Sequence, residues 1–167
     1  MNEFIQDKTP HPHSMMRRKE REITDRKEID EIVYSAKVMH LALSDQNTPF
    51  LVPVFYTYNG SSIYFHSAKA GTKIEILKRN NKVCFAISID HGVIESDTAC
   101  DFEAKHRTVI GFGKAVFVEN EEEKIEALNR IVGLFTDKEF EFPKGNLNAT
   151  ALIRIDIDLI KGKKHGF

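Results

Sequence analysis

The chain has 167 residues, a length that supports one domain with a substantial core and leaves little room for two. Its 24 lysines and arginines nearly balance its 25 aspartates and glutamates, so no overall field would recruit nucleic acid or an anionic membrane. The two cysteines lack the spacing of a disulfide framework and no apolar run is long enough to span a bilayer, so we expect a cytoplasmic protein.

The first segment, residues 1–14, is polar and aperiodic, and we expect a flexible N-terminal arm there, followed by a single domain over residues 15–167. His11 and His13 could ligate a metal. Because no cysteine or third histidine stands near them, we predict no metal site. The mixed-charge residues 17–22 that follow are either a solvated surface or an arm that reaches an anionic ligand or a second subunit.

The first regular elements follow this segment. Asp25 and Glu28 have the spacing of a capping box, and apolar residues recur after them at helical spacing, which predicts a helix with one buried face. Residues 38–43 are mostly apolar, which predicts a short strand, and residues 45–48 predict a turn.

Residues 50–58 predict a longer strand that contains Pro53. Because proline cannot donate to a ladder, Pro53 marks an edge, a bulge or an opening of the sheet. The pair Asn59-Gly60 favours a tight type I′ turn into a third strand at residues 62–66.

The stretch from residue 63 to 77 changes from strand chemistry to helix chemistry across a short loop. Thr72 and Glu75 have the spacing of a capping box, which predicts a helix start beside Gly71. The amides and positive dipole of a helix N-terminus suit a phosphate, and flanking hydroxyl and ammonium groups would add donors. The alternative is a plain turn whose lysines are only solvated. The candidate donors are His66, Ser67, Lys69 and Lys73.

The second half of the chain adds three strands and one helix. Residues 82–89 and 149–157 alternate as partly buried strands, with a polar aperiodic segment at 91–105. The strand at 108–118 contains Gly111 and Gly113, which indicate a bulge or a close approach of backbone. Asn120 and Glu123 cap a third helix.

The predicted fold is therefore mainly β, a small six-stranded antiparallel barrel with attached helices. No complete dinucleotide fingerprint, P-loop, nucleophile elbow or zinc-type cysteine cluster is present.

Several short motifs occur in the order found in one flavoprotein family. They are Met-Arg-Arg at 16–18, Val-Pro-Val at 52–54, Ile-Tyr-Phe-His-Ser-Ala at 63–68, Gly-Thr-Lys at 71–73 and Val-Ile-Gly-Phe-Gly at 109–113. In order and spacing the chain resembles the pyridoxamine 5′-phosphate oxidase-like FMN-binding proteins, and among them the 5-nitroimidazole-resistance (Nim) related proteins. The resemblance covers residues 15–163.

The resemblance implies a split β-barrel homodimer that binds FMN, with FAD as the alternative, in clefts at the subunit interface. His66, Ser67 and Lys73 would meet the flavin phosphate, and the strand at 52–55 would pass the isoalloxazine ring. Thr108 would lie near the ribityl chain or phosphate, and His40 stands where some relatives place a catalytic histidine. The implied cofactor contacts are Val52, Pro53, Val54, Phe55, Tyr64, Phe65, His66, Ser67, Gly71, Lys73 and Thr108.

The implied function is an FMN-dependent oxidoreductase that reduces a small-molecule acceptor such as a 5-nitroimidazole. The flavin would perform the redox chemistry while the protein orients it. A non-catalytic protein that stores or carries a flavin or a related ligand is the alternative, because one fold hosts many functions. The chain's ending lacks the arginine and histidine positions that hold substrate phosphate in the vitamin B6 oxidases, so we do not expect that reaction. Near-zero net charge argues against nucleic acid as a partner.

Overall fold

A computed structural model describes residues 11–167 and has a mainly β architecture, as predicted. None of the helices in this part of the chain is both long and apolar enough to cross a membrane. In chain order the elements are β1 (Glu22–Ile23), α1 (Arg26–Ser35), β2 (Val38–Asp45), β3 (Thr48–Phe55), β4 (Thr57–Tyr58), β5 (Ser62–Ala68), α2 (Thr72–Arg79), β6 (Lys82–Ile94), β7 (Glu103–Phe117), α3 (Glu121–Gly133), α4 (Lys144–Ala149) and β8 (Thr150–His165).

The strands form one antiparallel sheet in the order β3-β2-β6-β7-β8-β5-β4, with β1 paired to β8. This sheet has eight strands where the sequence predicted six. The two additional strands, β1 and β4, have two residues each and are too short to show alternation.

Tyr56 joins the two edges of this sheet. The predicted strand at 50–58 breaks at this residue, so β3 lies on one edge and β4 on the other. Because a single residue connects the two edges, the sheet curls until they lie close together, as an open barrel in which β3 and β4 are not paired. The Tyr56 side chain is 1% exposed, and its hydroxyl donates to the carbonyl of Val33 at 2.5 Å.

β6, β7 and β8 are longer than their apolar patterns indicated. The hairpin of β6 and β7 continues past a bulge between Asp90 and Val93 and includes much of the segment predicted to be aperiodic. Its outer part is largely exposed, so pairing there does not require alternation. β8 continues eight residues beyond the predicted end at Ile157.

Gly111 and Gly113 confirm the predicted bulge and close approach. A Cβ atom at Gly111 would overlap the ring of Phe85, which is completely buried in the barrel. One at Gly113 would overlap the carbonyl of Asp156, and the register of β7 and β8 shifts between Phe112 and Gly113.

Two predicted local structures were assigned wrongly. The type I′ geometry belongs to Gln46 and Asn47, whose φ angles are both positive, whereas Asn59 does not have a positive φ. The Asn59 side chain instead accepts hydrogen bonds from the backbone of Ser61 and Ser62 in a longer loop. The capping box at Thr72 is also wrong, since Thr72 is already the first helical residue.

In the other two predicted caps, the N-cap residue makes its predicted hydrogen bond, but the glutamate three residues later does not bind back to the cap. Asp25 accepts from the amide of Lys27, and Asn120 accepts from the amide of Glu123. The carboxylate of Glu28 does not reach back to its cap and binds the ammonium of Lys164 on β8. These helices are therefore fixed to the barrel by the groups that a capping box would have used.

Candidate functional site

The turn from β5 to α2 has the geometry of an anion site. Gly71 is the N-cap of α2, and its φ of 115° and ψ of 164° fall in a region that essentially only glycine occupies. The first helical hydrogen bonds run from Ile74 and Glu75 to the Gly71 carbonyl at 3.0 and 3.1 Å. The amides of Thr72 and Lys73 thus have no acceptor within the helix, and no side chain of the described residues caps it.

The side chains around this turn make it electropositive. Burial, followed by the nearby ammonium of Lys73, lowers the pKa of the His66 imidazole. Ser67 is 9% exposed and ends the buried row of β5. A Cβ atom at Gly71 would meet no heavy atom within 4 Å, so the space beside the N-cap is open. His66 and Lys73 therefore lie beside an open helix N-terminus, whereas Ser67 is buried on the opposite side of β5 from His66 and Lys69 lines a different cleft.

The second part of the candidate site is the outer apolar face, a surface on the side of the sheet away from the core. His40 on β2 pairs with Pro53 on β3 and with Ala86 on β6, so the three lie side by side. Ala86 in turn pairs with Ile110 on β7. The most exposed apolar side chains on this face are Val38, Leu51 and Phe55. We define the outer apolar face by Val38, Ala42, Leu51, Pro53, Phe55, Ala86, Ile110 and Phe112.

Thr108 lies at the border of this face within a small polar group. Its hydroxyl is 3.2 Å from that of Ser88 and 3.4 Å from Nδ1 of His106. A cleft of about 230 Å³ beside Thr108 is lined by Met16, Arg17 and the lysines 161 and 163. The segment at 16–18 therefore reaches the sheet. Its charge pattern alone could not decide between this placement and a solvated surface.

Other predicted residues lie inside the protein. Phe65 is completely buried in the core, and Tyr64 lies beneath α3, where its hydroxyl donates to Glu123 at 3.0 Å. Val54 is 8% exposed and faces inward. These three can meet a ligand only through backbone groups or through the side chains beside them.

His40 is exposed on the outer side of β2. The predicted arm, residues 1–14, falls mostly outside the described residues. At its end, the ring of His11 lies on that of Phe112 with centroids 4.3 Å apart, and Lys161 donates to the carbonyl of His13.

Sequence reasoning missed Ser88, His106, Lys161 and Lys163. These four residues come together on the outer side of the sheet because of the register between β6, β7 and β8. Alternation within each strand predicts two faces, but it does not indicate which residues of neighbouring strands lie side by side.

Comparison with known proteins identifies the family. The model of the pyridoxamine 5′-phosphate oxidase family matches residues 25–164. No curated protein sequence matches the chain.

Solved structures share the fold. A Bacteroides thetaiotaomicron protein, provisionally described as a 5-nitroimidazole antibiotic resistance protein, is 29% identical, with a TM-score of 0.76 and 85% of each chain covered. The flavocytochrome Anf3 of Azotobacter vinelandii is 21% identical, with a TM-score of 0.83 over 95% of this chain and 76% of its own. A FAD-binding protein of Mesorhizobium loti is 18% identical, with a TM-score of 0.66; the match covers 87% of this chain and 98% of that protein. The last two show the fold alone. Because the family model matches most of this chain, the chain belongs to the pyridoxamine 5′-phosphate oxidase family.

Proposed function

We propose that this chain binds FMN as a homodimer and uses it to pass electrons to a small acceptor such as a 5-nitroimidazole. The observation that carries the proposal is the open N-terminus of α2, where a glycine N-cap leaves amides free beside Lys73 and His66. Helix N-termini of this kind bind phosphates. The resistance protein that shares this fold supports the choice of acceptor.

The residues of the turn fit a flavin phosphate. The amides of Thr72 and Lys73 would donate to its oxygens, and the Lys73 ammonium would add a side-chain donor. A side chain at position 71 would be strained at this φ, which explains why the N-cap here is glycine.

The outer apolar face fits a ring system and a second copy of the chain. It contains exposed large side chains, Leu51 at 61% and Phe55 at 49%, and a contiguous surface of this kind marks an interaction site. In our proposal the 52–55 strand offers backbone groups to the isoalloxazine, and the face of a partner subunit excludes water. Thr108 would donate to the ribityl chain.

The chemistry supplied by a bound flavin is the acceptance and release of an electron pair. The chain's own residues bind the cofactor, orient it and exclude water. His40 is an exposed imidazole on the outer apolar face, and it could hold the proton that a reduced acceptor takes up.

The test is a spectrum followed by an assay. Purified protein should show flavin absorbance in the visible range and the mass of two chains in solution. With a reductant and no oxygen, it should convert a 5-nitroimidazole to the amine, and His40→Gln should slow turnover while leaving the flavin bound. A colourless, monomeric protein that ignores added FMN would overturn the proposal.

A non-catalytic flavin carrier is the second candidate. One observation favours it. His40 has Pro53 and Ala86 as its cross-strand neighbours, and neither side chain is an acid or a base. FAD is the alternative cofactor, since the Mesorhizobium loti relative is described as binding it. Tight flavin binding without turnover of several acceptors would favour the carrier.

A further inference from the structure

A cleft of about 380 Å³ lies beside α2, next to the turn that we propose for the flavin phosphate. Its walls come from α2, the first turn of α3 and the junction of α4 with β8. Lys69, a candidate phosphate donor from the sequence, lines this cleft instead, and none of the residues that we propose for the flavin does so. Its volume is within the range of small-molecule sites.

The floor of the cleft is apolar. Ile74 of α2 is 1% exposed and belongs to the main core, whereas Val118 and Leu152 belong to the smaller core beneath α3. The cleft therefore lies at the seam between two hydrophobic clusters. These side chains are almost fully buried, and the apolar surface left open to a ligand belongs to the half-buried ring of Phe117 at the end of β7.

The rim of the cleft is cationic. Three lysines, Lys69, Lys78 and Lys124, line it with a single carboxylate, Glu119. Lys78 also donates to Glu75 at 3.0 Å, which leaves Lys69 and Lys124 as the principal positive charges.

Lys124 is held in place by backbone. Its ammonium donates to the carbonyls of Leu147 and Thr150 at 2.5 Å each, so two of its three protons are used and one is left for a ligand. Burial and then the charge of Lys69 lower the pKa of Lys124, which is consistent with two ammonium groups that face the same space. An anion between them would relieve this repulsion.

We propose that this lysine cleft binds a small organic anion, a carboxylate or phosphate monoester on an apolar body. The anionic group would lie between Lys69 and Lys124, and the apolar body would cover the ring of Phe117. This site is separate from the proposed flavin site, and its existence does not depend on flavin binding.

Phenyl phosphate is a suitable probe because it carries both features. The protein, with excess FMN present, should bind it saturably in a calorimetric or ligand-observed NMR titration. Inorganic phosphate has the charge alone and phenol the ring alone, so each should bind about tenfold more weakly or worse. Shifts of backbone amide signals should be centred on Lys69, Lys124 and Thr150.

Two substitutions locate the probe. Lys69→Gln should weaken phenyl phosphate about fivefold or more, while Lys138→Gln, an exposed lysine in the loop after α3, should leave its affinity unchanged. Lys73→Ala should also leave it unchanged, even where it weakens FMN. Absence of saturable binding, equal affinity in Lys69→Gln, or loss of the probe in Lys73→Ala would each overturn the proposal, whether or not the protein proves to bind flavin.

Discussion

His66 on β5 and Lys73 in the first turn of α2 are electrostatically coupled: after burial, the Lys73 ammonium is the main cause of the lowered pKa of the His66 imidazole. His66 is therefore neutral at neutral pH and would become charged only in more acidic solution than an ordinary histidine. A phosphate bound at the same turn would favour the charged imidazole and raise its pKa.

This coupling predicts how pH affects FMN binding. Because binding would raise the His66 pKa, the complex would take up a proton, and FMN affinity should increase as pH falls from about 8 to about 6. The measurement is FMN fluorescence quenching across this range, with His66→Gln as the control that removes the contribution of the imidazole. A wild-type profile that parallels the control would mean that His66 does not face the phosphate.

Lys73→Ala should weaken FMN binding by about 1 to 3 kcal/mol, the scale of a hydrogen bond to a charged group. The matched control is Lys78→Ala, a lysine of the same helix whose ammonium is bound to Glu75. Its FMN dissociation constant should match that of the wild type. Equal losses in both variants would indicate a general charge effect and would place the phosphate elsewhere.

Gly71→Ala should lower the free energy of unfolding by about 1 to 3 kcal/mol, because its backbone conformation is one that alanine avoids. No steric clash contributes, since a Cβ there meets no atom within 4 Å. Gly145→Ala is the control, because Gly145 lies within α4, has equal space and lacks a positive φ, and it should be neutral or stabilising. Urea denaturation of both variants decides between strain and a general effect of the added methyl group.

Gly111→Ala should destabilise the barrel by at least about 2 kcal/mol, because the new methyl group would overlap the buried ring of Phe85. In a Phe85→Leu background the same substitution should cost much less. A double-mutant cycle by chemical denaturation measures this coupling. Additive losses would show that Gly111 is needed for a reason other than the ring.

Leu51→Lys should convert the proposed dimer to a monomer and reduce flavin retention. Leu51 is 61% exposed on the outer apolar face, so a lysine there should not disturb the fold of one chain. Phe140→Lys, an exposed aromatic in the loop after α3, is the control and should remain dimeric. Light scattering gives both masses, and a dimeric Leu51→Lys would exclude this face as the interface.

Local chemistry was sufficient to predict much of this fold. Apolar, β-branched and aromatic runs located β2 and β5, alternation located the inner part of β6, and the glycines of β7 marked the bulge and the contact with Phe85. The turn that we propose for the phosphate was also predictable as a local structure, since a strand, a glycine and a helix start follow one another within a few residues. These features depend on neighbours in the chain.

Long-range features could not be predicted in this way. The break at Tyr56 places β3 and β4 on opposite edges, and this depends on which strands pair with β8 and β2. The polar group of Ser88, Thr108 and His106 likewise depends on strand register. Helix α4 lacks a side-chain cap, and its short Asn- and Gly-containing sequence resembles a loop.

The position of β8 has a consequence during synthesis. This strand pairs with β1, β5 and β7, yet it is made after all of them. A nascent chain still attached to the ribosome before residue 150 would hold β5 and β7 with open edges, ready to join with another molecule. We therefore expect the barrel to assemble only once β8 has left the exit tunnel, and chaperone protection to be most needed before that point.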